Sequence, residues 1–145
     1  MQLSCRVEES AVWLQARFLH PIFKSASAVV EAKVDIGAST SVVPVTLVEA
    51  FVRQGDPLVR HSALQRVRLG DDRDLMAWQY LIDVQISDGL GGKWRVAAAA
   101  PRNEFSGCLA LPKRHALIGM DILSSCESLI YYGRRKEAFL TIDSA

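Results

Sequence analysis

Val34-Asp35-Ile36-Gly37-Ala38-Ser39-Thr40-Ser41-Val42-Val43 reads as the end of a strand that turns sharply at a glycine. Upstream, Val30, Ala32, Val34 and Ile36 alternate with Glu31, Lys33 and Asp35, so an apolar face and a charged face are expected. Asp35 is the last residue of the charged face before the chain bends. Gly37 permits a turn in which a Cβ would clash, and the small side chains of Ala38 and Ser39 keep the loop narrow. A carboxylate on the rim of such a loop, near backbone N–H groups and with room for a water, is suited to acid–base chemistry. Asp-x-Gly is also an ordinary turn sequence, so these residues in isolation do not define a site.

The strand that delivers Asp35 is expected to be the second arm of a hairpin. Ala11 to Phe18 alternates, with Val12, Leu14, Ala16 and Phe18 on one face, and His20 to Ser27 forms the turn. Beyond the loop, Pro44 is well placed to begin a helix whose apolar face is Leu47, Val48, Phe51 and Val52 and which Gly55 can end. His61 to Leu69 is a less regular extended segment, followed by the polar break Gly70-Asp71-Asp72-Arg73-Asp74. Trp78 to Ser87 reads as a strand with Ile82, Val84 and Ile86 facing one way. The turn Asp88-Gly89-Leu90-Gly91-Gly92 leads into a partner, Lys93 to Ala100, with Trp94, Val96 and Ala98 on one face.

Residues 101–115 lack a pattern and are expected to be a loop insertion. Ala116 to Gly119 is an apolar strand that enters a short helix capped by Asp121, and Ser128–Tyr132 and Glu137–Ile142 flank the basic turn Gly133-Arg134-Arg135-Lys136. Many short strands with one or two short helices predict a mostly-β fold: a closed β-barrel in a single domain over residues 1–145, with its core at about 12–142.

Composition narrows the function classes. A chain of 145 residues, half of them apolar and 23% charged, has enough apolar surface to form a core without disulfides. A net charge of +1 lacks the basic excess of a general nucleic-acid binder. No apolar run approaches a membrane span, and Met1 to Arg6 does not resemble a signal peptide, so a cytoplasmic protein with no membrane partner is expected. Cys5, Cys108 and Cys126 are odd in number and widely spaced, as free thiols in a reducing compartment would be. Together with His20, His61 and His115 they form no metal-ligand spacing, so neither metal nor cofactor is expected. Gly37 to Ser41 lacks the final glycine of a serine nucleophile elbow, and the order of elements is not an alternating α/β sheet.

Two separated segments carry a family resemblance. Val34 to Val43 resembles the active-site loop of retropepsin-like aspartic proteases, in which an apolar residue precedes Asp-Thr/Ser-Gly-Ala-Ser/Asp. Leu117-Ile118-Gly119-Met120-Asp121-Ile122-Leu123 resembles the closing motif of that family, two aliphatics and a glycine before a short helix, whose glycine packs beside the catalytic loop. The similarity runs from about Val12 to Ile142.

The resemblance implies an endopeptidase in which Asp35 is catalytic and two copies of the chain each bring one carboxylate to a twofold axis. Carboxylates about 3 Å apart share a proton, so one activates a water while the other protonates the scissile carbonyl oxygen. It implies a homodimer acting on a peptide or protein substrate. Gly37, Ala38 and Ser39 would contact that substrate from the loop. A flap at about Leu69 to Ala77 would contact it from above through Gly70, Asp71 and Asp72 near the tip.

Ile36 departs from the family pattern. The family's Thr or Ser there hydrogen-bonds across the dimer axis, and isoleucine cannot. Two other readings therefore stand beside the protease: a catalytically silent module of the same fold used for dimerisation or peptide binding, and a β-barrel adaptor in which Asp35 is structural.

Overall fold

The computed structural model describes residues 2–61, 63–69, 71–91, 93–100 and 105–142. Strands β1 (Gln2–Glu8), β2 (Ala11–Leu19), β3 (Val30–Val34) and β4 (Val42–Pro44) lead to helix α1 (Val45–Arg53). Strands β5 (Gln65–Arg68), β6 (Asp74–Ala77), β7 (Gln79–Tyr80), β8 (Asp83–Ser87), β9 (Arg95–Ala98), β10 (Cys108–Leu111) and β11 (Ala116–Ile118) follow. Helix α2 (Met120–Leu123) and the hairpin β12 (Ser128–Tyr132) and β13 (Glu137–Thr141) end the described chain. The architecture is mostly β with two short helices, as the patterning predicts, and no helix among the described residues is long and apolar enough to cross a membrane.

The hairpin that carries Asp35 forms as expected. β2 and β3 pair antiparallel from Val12↔Val34 to Ala16↔Val30, which buries Leu14, Ala16, Phe18, Ala32 and Val34 together. β11 adds to the other edge of β3 in parallel, and β4, β10 and β7 extend the sheet from there. Helix α1 closes the main core with Leu47, Val48 and Phe51, while Val52 lies outside the buried stripe. Gly55 takes φ +85° just past the helix end, where a residue with a Cβ would be strained.

The sheet does not close into the expected barrel. Its hydrogen-bonded order, β12-β13-β1-β2-β3-β11-β4-β10-β7, has two ends that do not pair with each other among the described residues. The cause lies in β2, whose long edge is divided: Ala11–Trp13 pair with β1, and Gln15–Leu19 pair with β8. The sheet forks there instead of curling round to meet itself. β1 itself was not anticipated, although Leu3 and Cys5 alternate with exposed neighbours and are buried by β13.

Three smaller expectations change. Trp78 to Ser87 is broken into β7 and β8, so that Ile82 between them is buried with Val84 and Ile86. In β9 the register shifts opposite Val84 and Gln85, which buries both Ala97 and Ala98 and exposes Val96. Residues 101–104 lie outside the described residues. The rest of the expected loop insertion holds β10, a strand buried along its whole length and parallel to β4.

Gly107 explains how the chain enters β10. Its φ is +112°, and a Cβ there would overlap the Tyr80 carbonyl oxygen. Gly107→Ala should therefore destabilise the protein by about 3 kcal/mol, combining a strained backbone with a backbone clash. The readout is the urea midpoint, and an unchanged midpoint would contradict this account of the turn.

Candidate active site

β3 ends at Val34, but the ladder to β11 continues one residue further, because the Asp35 N–H donates to the Ile118 carbonyl at 2.9 Å. This keeps Asp35 in the extended register of the strand, so its side chain leaves on the same face as Glu31 and Lys33. The turn then closes with the Ala38 N–H donating to the Asp35 carbonyl at 3.2 Å. The Gly37 N–H donates to Asp35 Oδ1 at 2.9 Å, while Oδ2 meets no protein donor among the described residues. The carboxylate is half-buried, with one oxygen held and the other open.

The alternation that would carry Ile36 into the core stops with the strand. Ile36 is 71% exposed at the outer tip of the loop, and Met120 is exposed on the neighbouring helix.

A buried polar clamp fixes the loop from behind. Ser41 is 1% exposed. Its N–H faces both Asp121 carboxylate oxygens at 3.1 and 3.0 Å, its Oγ–H donates to Asp121 Oδ1 at 2.6 Å, and its Oγ accepts from the Gly119 N–H at 2.9 Å. The Met120 N–H donates to the Ala38 carbonyl at 2.8 Å. Asp121 is thus not the helix cap that the sequence led us to expect; Gly119 holds that position, and Asp121 reaches across to Ser41, just before β4. Gly119 packs against the loop closely enough that a Cβ would lie 2.8 Å from the Ala38 carbonyl oxygen.

The residues expected to contact substrate divide. Gly37, Ala38 and Ser39 lie in the same loop as Asp35. Gly70 lies outside the described residues. Asp71 and Asp72 sit at the turn of the β5–β6 hairpin, where Asp71 pairs with Arg73 at 2.6 Å and Asp72 takes φ +64°. That hairpin forms its own two-stranded sheet, at the position expected for a flap. Its Val67, Leu69 and Leu75 pack with Leu117 onto Val42, Ala77, Leu109 and Leu111, a cluster separate from the main core. The sequence reading missed this packing, and the apolar alternation of Val67, Leu69 and Leu75 was the available signal.

The cysteines offer no competing nucleophile. All three are free, and burial pushes the Cys5 thiol up to about 11 and raises those of Cys108 and Cys126. Among the described residues, no group of three or more His, Cys, Asp or Glu side chains is placed to hold a metal.

This mostly-β chain has an aspartate loop clamped by a glycine-helix motif and a separate two-stranded hairpin packed on the neighbouring strands. Among solved structures, it is similar to a retropepsin-like aspartic protease from Rickettsia conorii. The two share 12% sequence identity at a TM-score of 0.51, over 100% of this chain and 94% of the other. No family model matches the sequence, and no curated protein does.

Proposed function

We propose that the protein is an aspartic endopeptidase active as a homodimer, with Asp35 of each copy forming the catalytic dyad. The observation that carries this reading is the presentation of Asp35, one carboxylate oxygen on the Gly37 amide and the other open, in a loop braced by the Ser41–Asp121–Gly119 clamp. One chain provides one such carboxylate, and water activation between two requires a second copy. The exposure of Ile36 favours that arrangement, since a twofold axis at the loop would cover it. So does the terminal sheet, in which β12 leaves an outer edge unpaired among the described residues and exposes Ile130, Tyr131 and Tyr132. The test is cleavage of a peptide library by wild type and by Asp35→Asn; equal cleavage by both eliminates the protease.

Ile36 also favours a second reading, a silent dimerisation or peptide-binding module. Without a hydroxyl, the two loops lose the hydrogen bonds that would tie them together. Ile36→Thr separates the readings. In a protease it is expected to tighten the dimer or raise activity, as measured by sedimentation and peptide turnover. A variant that still dimerises but remains without turnover supports the silent module.

A further inference from the structure

One row of paired residues crosses the sheet just below the Asp35 loop. Arg6 pairs with Trp13, Trp13 with Lys33, Lys33 with Leu117, Leu117 with Val42, Val42 with Leu109, and Leu109 with Gln79. Paired residues share a face, so these side chains form a continuous floor on the side of the sheet from which Asp35 projects. The floor has two halves. Leu117, Val42 and Leu109 lie under the β5–β6 hairpin and are apolar. Lys33, Trp13 and Arg6 lie outside that apolar cluster.

Lys33 is the distinctive residue of the second half. It sits two residues before Asp35 on the same face and is partly buried. Its ammonium makes no ion pair or hydrogen bond among the described residues. Neither acid that flanks it on the strand pairs with it: Glu31 pairs with Arg6 at 3.0 Å, and Asp35 accepts from Gly37 on Oδ1 and leaves Oδ2 open. Across the strand Trp13 stacks edge-on against His115 at 5.2 Å, making an aromatic wall beside the lysine. Burial, with Lys113 and Lys33 nearby, lowers the His115 pKa, so the imidazole beside Trp13 favours its uncharged form and adds no competing positive charge at neutral pH. A lysine without a protein partner among the described residues on this face is free to pair with an incoming carboxylate.

We propose that Lys33, walled by Trp13 and His115 beside the hairpin-covered half of the row, selects an acidic side chain in the bound peptide. This inference rests on the protease reading for its geometry but not for its measurement, because peptide binding can be read in a chain that does not cleave. The experiment uses octapeptides with an apolar centre and Glu, Gln or Lys placed at each position in turn. Their affinity for Asp35→Asn protein is measured by Trp fluorescence, and their turnover by the wild type is measured in parallel.

At one position Glu should bind about fivefold more tightly than Gln. Lys33→Met should bring that ratio to about one, and Lys33→Glu should turn the preference toward Lys. A Glu preference in binding that disappears in Lys33→Met supports the inference even where the wild type cleaves nothing, an outcome that counts against the protease alone. No preference in the parent, a preference that survives Lys33→Met, or no binding of any peptide overturns it.

Discussion

Asp35→Asn is expected to lower peptide hydrolysis by about a thousandfold, the scale of a positioned acid–base group. An excess of the variant chain is further expected to silence the wild type. The reaction needs one carboxylate to take a proton from water while its neighbour donates one, and an amide does neither at neutral pH. A hybrid dimer holds one carboxylate and one amide, so a single variant chain is enough to leave it inactive. At about nine variant chains per wild-type chain, random pairing leaves roughly one wild-type chain in ten with a wild-type partner. Activity per wild-type chain should fall about tenfold in that mixture, provided the chains exchange before the assay. A monomeric enzyme would be unaffected by the added variant, and that result would remove the shared dyad from the mechanism. The two measurements are complementary: the variant alone tests the carboxylate, and the mixture tests whether two of them act together.

Much of this site was legible in the sequence because it rests on local rules. Alternation in Ala11–Phe18 and Val30–Val34 specified the hairpin that carries Asp35, and the register Val12↔Val34 follows from burying both apolar faces. Gly119 was legible only through the family resemblance, and its closeness to the Ala38 carbonyl shows why a Cβ does not fit there. A flap over about Leu69 to Ala77 was implied only by the resemblance; the hairpin observed begins earlier, with β5 and β6 paired around the polar break. What could not be read depended on partners distant in the chain. β10 is buried throughout and therefore shows no alternation, so Cys108–Leu111 resembled part of an irregular loop. The open sheet follows from the division of one β2 edge between β1 and β8, a choice that no single segment encodes. The outward turn of Ile36 follows from the strand ending at Val34, two residues earlier than its alternation implied. The role of Asp121 needed the knowledge that residue 41, eighty positions away, lies beneath it.

That last pairing gives the larger stability prediction. Asp121→Ala should destabilise the fold by about 3–5 kcal/mol, because it leaves two buried donors on Ser41 without acceptors, each costing about 1–3 kcal/mol. Neither donor has an easy alternative: Ser41 is 1% exposed, and its Oγ already accepts from the Gly119 N–H at 2.9 Å. Asp121→Asn keeps one carbonyl acceptor and should lose only about 1 kcal/mol. Ser41→Ala removes the donor hydroxyl and the acceptor for Gly119 together, so combining it with Asp121→Ala should cost less than the sum of the two. Urea denaturation of the four variants measures this coupling, and an Asp121→Ala protein that unfolds at the wild-type midpoint would refute the clamp. The same clamp ties the loop to α2. Loosening it should therefore reduce turnover at temperatures where the variant is still folded, since a dyad tolerates little displacement of either carboxylate. Loss of stability without loss of turnover in the folded variant would assign Ser41 and Asp121 to the fold alone.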